Sequence, residues 1–310
     1  DTYIETDLIG NNAKTPTFST RYINERKYVG GAAIIAKHLS KAGANVTFCS
    51  VLGNDKLGKY IKRDLKKSNI SDETIELNHR PTTDKKYFIA DNYRLLKVDT
   101  VDNSPIPQEI VKRITNKIKK IRKGILIFAD FRHGIFNKNS IPNFVKAINS
   151  GVFKVADSQV ASRWGNILDF KNFDLITPNE KEARFSLADQ DTTIRPLASR
   201  LYNEARCKNM ILKLGEKGTI TFRRKMKKND FRSFFVIDAL EKHAVDPVGC
   251  GDALLSYAAL GLFHSKNIVI SSLLGSISAA LESKINGNEP ITLDEILKKL
   301  SSLEVQLNQL

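Results

Sequence analysis

Asp246-Pro247-Val248-Gly249-Cys250-Gly251-Asp252-Ala253, running directly into the apolar stretch 254–263, is the segment whose reading decides the fold. Two glycines one residue apart let the backbone turn tightly before a helix begins, so that successive N–H groups converge at the positive end of that helix. Such a turn holds an anion, and the charge that develops on a phosphoryl group in transfer is one it would suit. Asp252 follows at once, placed to accept a proton from an attacking hydroxyl. The same aspartate also reads as a plain helix N-cap, and the rest of the chain has to decide between the two.

Working outward, the chain from about Gly30 alternates helical windows with short apolar segments. Residues 125–129, 175–177, 211–214 and 243–246 are strand-like, with amphipathic windows between several of them. That order predicts an α/β fold with a mostly parallel sheet flanked by helices, whose ligands sit at the carboxyl ends of the strands. Residues 15–29 and 81–98 interrupt the rhythm: both are rich in Thr, Tyr, Phe and Ile interleaved with charge, and they predict a small β-sheet lid built from two excursions. The opening Asp1-Thr2-Tyr3-Ile4 leads straight into polar sequence, where a sheet of this kind would begin on a buried strand, so either the first strand is missing or the sheet begins elsewhere. One domain over 1–310 with a discontinuous lid is the expected organisation.

Composition narrows the class. With 310 residues, 41% hydrophobic and 27% charged, the chain is neither a disordered tail nor a membrane bundle, and no apolar run nears the ~20 residues of a membrane span. Cys49, Cys207 and Cys250 are odd in number and far apart, which fits a reducing, cytoplasmic setting and no zinc spacing. The formal net charge is +15, which alone would allow nucleic acid, an anionic ligand or a lysine-rich surface. In 107–124, Ile110, Val111, Ile114, Ile118 and Ile121 fall at helical spacing while Lys117, Lys119, Lys120, Arg122 and Lys123 crowd the end, a solvated face that complements the helix dipole. The second basic run, Arg223, Arg224, Lys225, Lys227 and Lys228, reads as a hairpin tip. Neither run carries the interleaved aromatics of single-strand binders, so no specific nucleic acid is expected.

Further segments bear on chemistry. Gly53-Asn54-Asp55-Lys56-Leu57-Gly58-Lys59-Tyr60 has the spacing of a phosphate loop, but Tyr60 stands where a metal-binding Ser or Thr is needed. Thr177-Pro178-Asn179-Glu180-Lys181-Glu182 puts Asn179 and Glu182 on one helical face, suited either to ordering water around Mg²⁺ or to a simple capping box. Leu212-Lys213-Leu214-Gly215-Glu216-Lys217-Gly218 passes beneath a nucleotide or merely turns a hairpin. Gly30-Gly31 marks a close approach to a ligand or a tight turn into a helix.

In order, these segments resemble the ribokinase-like, or PfkB, family of carbohydrate kinases over nearly the whole chain: a Gly-Gly helix start, V-L-G-N-D, T-P-N-E-x-E, L-K-L-G-E-K-G and D-P-V-G-C-G-D. The last is similar to that family's D-T-x-G-A-G-D signature. Within the family the chain looks most like the heptose-phosphate kinases of the ADP-heptose pathway and their relatives, on Tyr28-Val29-Gly30-Gly31-Ala32-Ala33, the lid-like Lys86 and Leu95-Leu96-Lys97-Val98-Asp99, and Ala129-Asp130-Phe131-Arg132-His133-Gly134.

The resemblance implies ATP-dependent phosphorylation of a sugar or sugar-phosphate hydroxyl. Asp252 would be the base, and the backbone of Gly249, Cys250 and Gly251 the anion hole. Asn179, Glu182, Lys213, Gly215, Gly218 and Asp246 would line the ATP site, with Asn179 and Glu182 organising Mg²⁺ through water. Asp1, Gly30, Gly31, Lys86 and Asp130 would meet the sugar, and the lid would clasp a second copy in a homodimer. Two positions depart from the heptose kinases: Ile34 replaces their sugar-binding Asn, and His133 stands where they often carry Lys. The alternative reading is a sugar- or nucleotide-binding regulatory module without catalysis.

Overall fold

The computed structural model describes residues 1–11, 14–160, 164–223, 233–241 and 243–307. The chain opens with strands β1 (Thr2–Asn11) and β2 (Phe18–Lys27) and helix α1 (Ala32–Lys41). Two short strands, β3 (Thr47–Phe48) and β4 (Val51–Gly53), lead to α2 (Lys56–Lys67), and β5 (Ser71–Asp72) and β6 (Ile75–Leu77) precede the hairpin β7 (Asp84–Ala90) and β8 (Tyr93–Thr100). Next come α3 (Gln108–Lys120), β9 (Gly124–Asp130), α4 (Ser140–Lys146), β10 (Val152–Ser158), β11 (Leu175–Ile176), α5 (Glu180–Leu187) and α6 (Ile194–Ala205). The chain continues through β12 (Asn209–Lys213), β13 (Thr219–Arg223) and β14 (Phe234–Ile237) to α7 (Cys250–Ser265), α8 (Ile268–Glu282) and α9 (Leu293–Leu307).

The main sheet has the order β14-β13-β12-β11-β10-β9. Strands β9 to β12 run parallel, and β13 and β14 are antiparallel additions. Strands buried on both faces need apolar residues at consecutive positions, and the sequence supplies them. Ala156, Ile176, Met210 and Leu212 face one layer with α3, α4, α5 and α6, while Val155, Leu175 and Ile211 face the other with α1 and α7. This places both layers across one sheet and leaves the carboxyl ends of β10, β11 and β12 pointing at the start of α7.

The lid is a separate four-stranded sheet, β2-β1-β7-β8, and here the structure corrects the sequence reading. The opening residues, left outside the lid expected at 15–29 and 81–98, form the ten-residue strand β1, antiparallel to β2 and parallel to β7. Burial falls off along the strand and does not alternate between its faces: Thr2, Tyr3 and Thr6 are buried, whereas Leu8 and Ile9 near its far end are exposed, so no alternating hydrophobic pattern marks it. Residues 243–246, expected as a strand, form no strand; Val245 and Asp246 instead donate backbone N–H groups to Ser283 O. The helix read from 107–124 is α3, with Ile110, Val111, Ile114 and Ile118 buried. Of the second basic run, 224–228 lies outside the described residues. Among the described residues no helix is long and apolar enough to cross a membrane.

A cavity of about 970 Å³ separates the outer edge of β9 from β3, β4 and α1. Its walls are largely apolar, with Ile125, Ile127 and Ala129 on one side and Val46, Phe48 and Leu52 on the other. It reaches Gly31, Lys85 and Phe131 but not the turn before α7.

The core beneath α3 and α4 turns on Phe170, fully buried with ring centroids 6.0, 5.8 and 5.7 Å from those of Phe128, Phe136 and Phe173. Phe170→Ala should lower stability by about 3–5 kcal/mol, read as a reduced urea midpoint at unchanged slope.

Candidate active site

Residues 246–252 form a tight turn that delivers the first turn of α7. Gly249 is its N-cap at φ 90°, in the left-handed region that favours glycine. A Cβ there would also lie 2.7 Å from Glu282 Oε1 and 3.2 Å from Asn288 Oδ1, so glycine is required twice over. The first helical amides to find an acceptor are Asp252 N and Ala253 N, both donating to Gly249 O at 2.9 Å. Among the described residues the amides of Gly249, Cys250 and Gly251 therefore have no backbone acceptor, and they remain available to an anion. Asp252 is the third residue of the helix, not its N-cap, so the plain capping alternative fails. Cys250 turns its sulfur back toward Asp246 O at 3.8 Å, and burial pushes its thiol up to about 12.

The charges around Asp252 are arranged about Lys213, the last residue of β12. Its ammonium lies 3.2 Å from both oxygens of Asp157, at the end of β10, and 3.3 Å from where a Cβ on Gly251 would stand. Burial pulls the Lys213 pKa down, but Asp157, then Glu182 and Asp252, outweigh it and the net shift is upward, keeping the ammonium charged. Asp252 is shifted the other way from an ordinary carboxylate: burial and then Asp157 push it up to about 7, against the pull of Lys213 and Lys85. A carboxyl poised near neutrality can take a proton and release it.

Asn179 and Glu182 are tied to each other. The Asn179 side chain accepts from Glu182 N at 2.9 Å, and Glu182 accepts from Asn179 N and Nδ2, both at 2.7 Å. This is the capping box that the spacing allowed, and it locks Glu182 over Lys213, whose own N–H donates to Pro178 O. Burial foremost pushes Glu182 up to about 7. Gly215 and Gly218 bracket the turn between β12 and β13, the hairpin alternative. A Cβ on Gly218 would strike Ile237 O, whereas Gly215 faces open space.

The residues expected around a sugar are only partly brought together. Gly30 is packed so tightly on Asp1 that a Cβ would overlap its carboxylate, and Asn288 donates to that same carboxylate. Gly31 caps α1 at φ 58°. Asp130 is engaged by the protein: Ser158 Oγ and Arg132 N donate to it at 2.8 Å, and Arg132 Nε lies at 2.8 Å. Burial raises its pKa despite these partners. Lys86 pairs loosely with Asp84, 3.9 Å away, and its side chain is half-exposed. Its neighbour Lys85 points inward, over the Phe131 ring at 5.4 Å, with a pKa lowered by burial and Lys97 and supported by Asp99 and Asp252. Ile34 is wholly buried in the core. Asp246, expected against nucleotide, spends both oxygens on the protein: Val248 N at 3.0 Å and Arg94 Nη2 at 2.6 Å.

Sequence reasoning missed Asp157, Lys85, Glu282 and Asn288. Asp157 carried a usable signal, a carboxylate at the carboxyl end of a parallel strand. Glu282 and Asn288 carried none, since only the packing of the end of α8 and of the segment after it against the turn sets them beside Gly249.

Comparisons with known proteins bear on the family and the fold. A model described as pfkB family carbohydrate kinase matches residues 3–283. The chain is similar to the bifunctional protein HldE of a Nitratiruptor species, 23% identical over 277 residues, covering 88% of this chain and 56% of that protein. It is also similar to the HldE of Campylobacter jejuni (strain RM1221), 25% identical over 304 residues, 96% and 61%. The chain thus spans less than two thirds of these relatives' length. Phosphofructokinase-2 from Escherichia coli, in complex with substrates and products, superposes with a TM-score of 0.80 at 17% identity, covering 98% of this chain and 95% of that one. Ribokinase from Thermotoga maritima gives 0.72 at 20% identity, with 97% of each chain covered. The fold is ribokinase-like.

Two outcomes follow from the site's packing. Asn179→Ala should cost about 1 kcal/mol in chemical denaturation, and Asn179→Ser should restore most of it. Glu282 has both carboxylate oxygens buried without a hydrogen-bond partner among the described residues, and burial followed by Asp252 pushes it up to about 8. Its folded-state pKa lies above the unfolded one, so the stability it contributes is present below about pH 4 and lost as pH rises through about 8. Thermal unfolding from pH 6 to 9 should therefore show Glu282→Gln gaining on the wild type as pH increases.

Proposed function

Since the chain belongs to the pfkB family of carbohydrate kinases, we propose that it transfers the γ-phosphoryl group of ATP to a hydroxyl of a sugar or sugar phosphate. The observation that carries this reading is the pairing of Asp252, held near neutrality, with three amides open to an anion at the positive end of α7. In this reading Asp252 accepts the proton of the sugar hydroxyl as its oxygen attacks the γ-phosphorus. The amides of Gly249, Cys250 and Gly251, with Lys213 beneath them, stabilise the charge that builds on the transferring group. Closure of the lid keeps water, a rival acceptor, away from the phosphoryl group.

A divalent ion fits the residues present. The described residues hold no group of three or more His, Cys, Asp or Glu that could cage a metal, while Asp157 and Glu182 offer hard oxygen near Lys213. That donor set suits Mg²⁺ carried on the nucleotide's phosphates and touched by protein through water, with Glu182 and Asn179 as the residues that would order it. When bound, the ion neutralises charge on the phosphates.

For the acceptor, a phosphorylated sugar is the favoured class. Lys85, Arg132 and His133 lie near Gly31 and Phe131, and E. coli phosphofructokinase-2 has been solved in complex with fructose-6-phosphate. The likeness to HldE supports a heptose phosphate within that class, although Ile34 supplies no amide to such a sugar. The exposed apolar residues of the lid, including Phe18, Tyr22, Ile23 and Leu96, support a homodimer formed lid to lid.

ADP release with ATP and Mg²⁺ should depend on a phosphorylated hexose or heptose. Tight sugar binding with no ADP release across the panel would instead establish a regulatory binding module. Asp252→Asn should retain nucleotide affinity and lose ~10²–10⁴ in turnover. Because the base works only when deprotonated, the wild-type rate should fall as pH drops below about 7 and level off above it.

A further inference from the structure

The lid and the turn before α7 meet at a single carboxylate. Arg94 of β8 crosses from the lid to Asp246, 152 residues away in sequence, with Nη2 at 2.6 Å from Oδ2. The hydroxyl of Tyr3, on β1, lies 3.4 Å from the same oxygen and accepts from Arg94 Nη2 at 3.3 Å. The guanidinium is held in place by two rings, its carbon 4.8 Å from the Tyr87 centroid and 5.6 Å from that of Tyr3. The other carboxylate oxygen, Oδ1, accepts from Val248 N at 3.0 Å, and that hydrogen bond shapes the turn presenting the amides of Gly249, Cys250 and Gly251.

We propose that Arg94 is a positioning residue, a latch through which a seated lid holds Asp246 and thereby sets the amides of the 249–251 turn for an anion. This rests on the catalytic reading of that turn. The Asp246 side chain is only 5% exposed and that of Arg94 33%, so the contact is a shielded, charge-assisted hydrogen bond of the strong kind. When the lid lifts, Asp246 loses this cationic partner. A nearly buried carboxylate left without a counter-charge draws on other donors or on water. Its grip on Val248 N then loosens, and the anion site is complete only when the lid is down. An enzyme built this way assembles its phosphoryl site after the acceptor has been enclosed, which suppresses transfer to water.

Arg94→Met tests this, since methionine keeps apolar length over Tyr87 and Tyr3 but donates no hydrogen bond. Hydrogen exchange on the substrate-free protein should show the hydrogen-bonded amides of the turn, Val248, Asp252 and Ala253, exchanging at least about fivefold faster than in the wild type, with the core strands unchanged. In the ADP-release assay kcat should fall by about 5- to 150-fold while the KM for ATP stays within about twofold. Arg94→Lys, which restores the charge without the planar fork, should fall between the two. Unchanged exchange at Val248, Asp252 and Ala253, or acceleration confined to the lid strands, overturns the latch whatever the activity. An unchanged kcat in Arg94→Met overturns it as well. If the wild-type protein releases no ADP with any sugar, the catalytic reading fails by itself, and the exchange experiment alone decides whether Arg94 sets the turn.

Discussion

One ammonium group organises the site. Lys213 stands at the end of β12 among Asp157, Glu182 and Asp252, which come from β10, α5 and α7. Three carboxylates brought this close would repel one another and bear a heavy desolvation cost, and one interior cation makes their gathering tolerable. Their pKa values show how the charge is shared: Glu182 and Asp252 are each raised to about 7, while Lys213 is shifted so as to keep its proton. The elements that meet there are thereby fixed relative to one another.

The parallel sheet makes that meeting possible. Strands running the same way end at the same edge, so Asp157, Asn179 and Lys213 reach a common line although they are far apart in the chain. Helix α7 lies across the face formed by Val155, Leu175 and Ile211, and its apolar length aims its first turn at that line. Asp246 extends the arrangement to the lid, because one carboxylate serves both Val248 and Arg94. A small set of polar contacts at the sheet's edge thus coordinates two separate sheets.

Much of this could be read from the residues. The glycines of the 246–252 segment announced a tight turn into a helix, and α7 begins there with Gly249 at a φ of 90°. The spacing of Asn179 and Glu182 announced a capping box, and one is present. The isoleucine pattern of 107–124 announced α3. Where the reading failed, the information was not local. The strand β1 shows no alternating pattern because its burial falls off along its length, and 243–246 looks like a strand although its backbone bonds to the end of α8 rather than to a neighbouring strand. Lys85, which the reading did not single out, points inward because strand alternation and the pairing of β7 with β1 set its direction.

By itself the sequence determined the local conformations and the chemistry on offer. Gly249 sits at a φ of 90° with no room for a Cβ, and position 252 puts a carboxylate in the first turn of α7. The alternation of helical and strand-like segments required an α/β fold. The tertiary structure decided which charges share a space. It set Asp157 under Lys213, turned Asp130 onto Arg132 and Ser158, buried Ile34, and gave Asp246 to the lid. The reason is physical: backbone preference and hydrophobic period act over a few residues, whereas a pKa, a desolvated ion pair or a shared carboxylate depends on groups that meet only after the chain has folded.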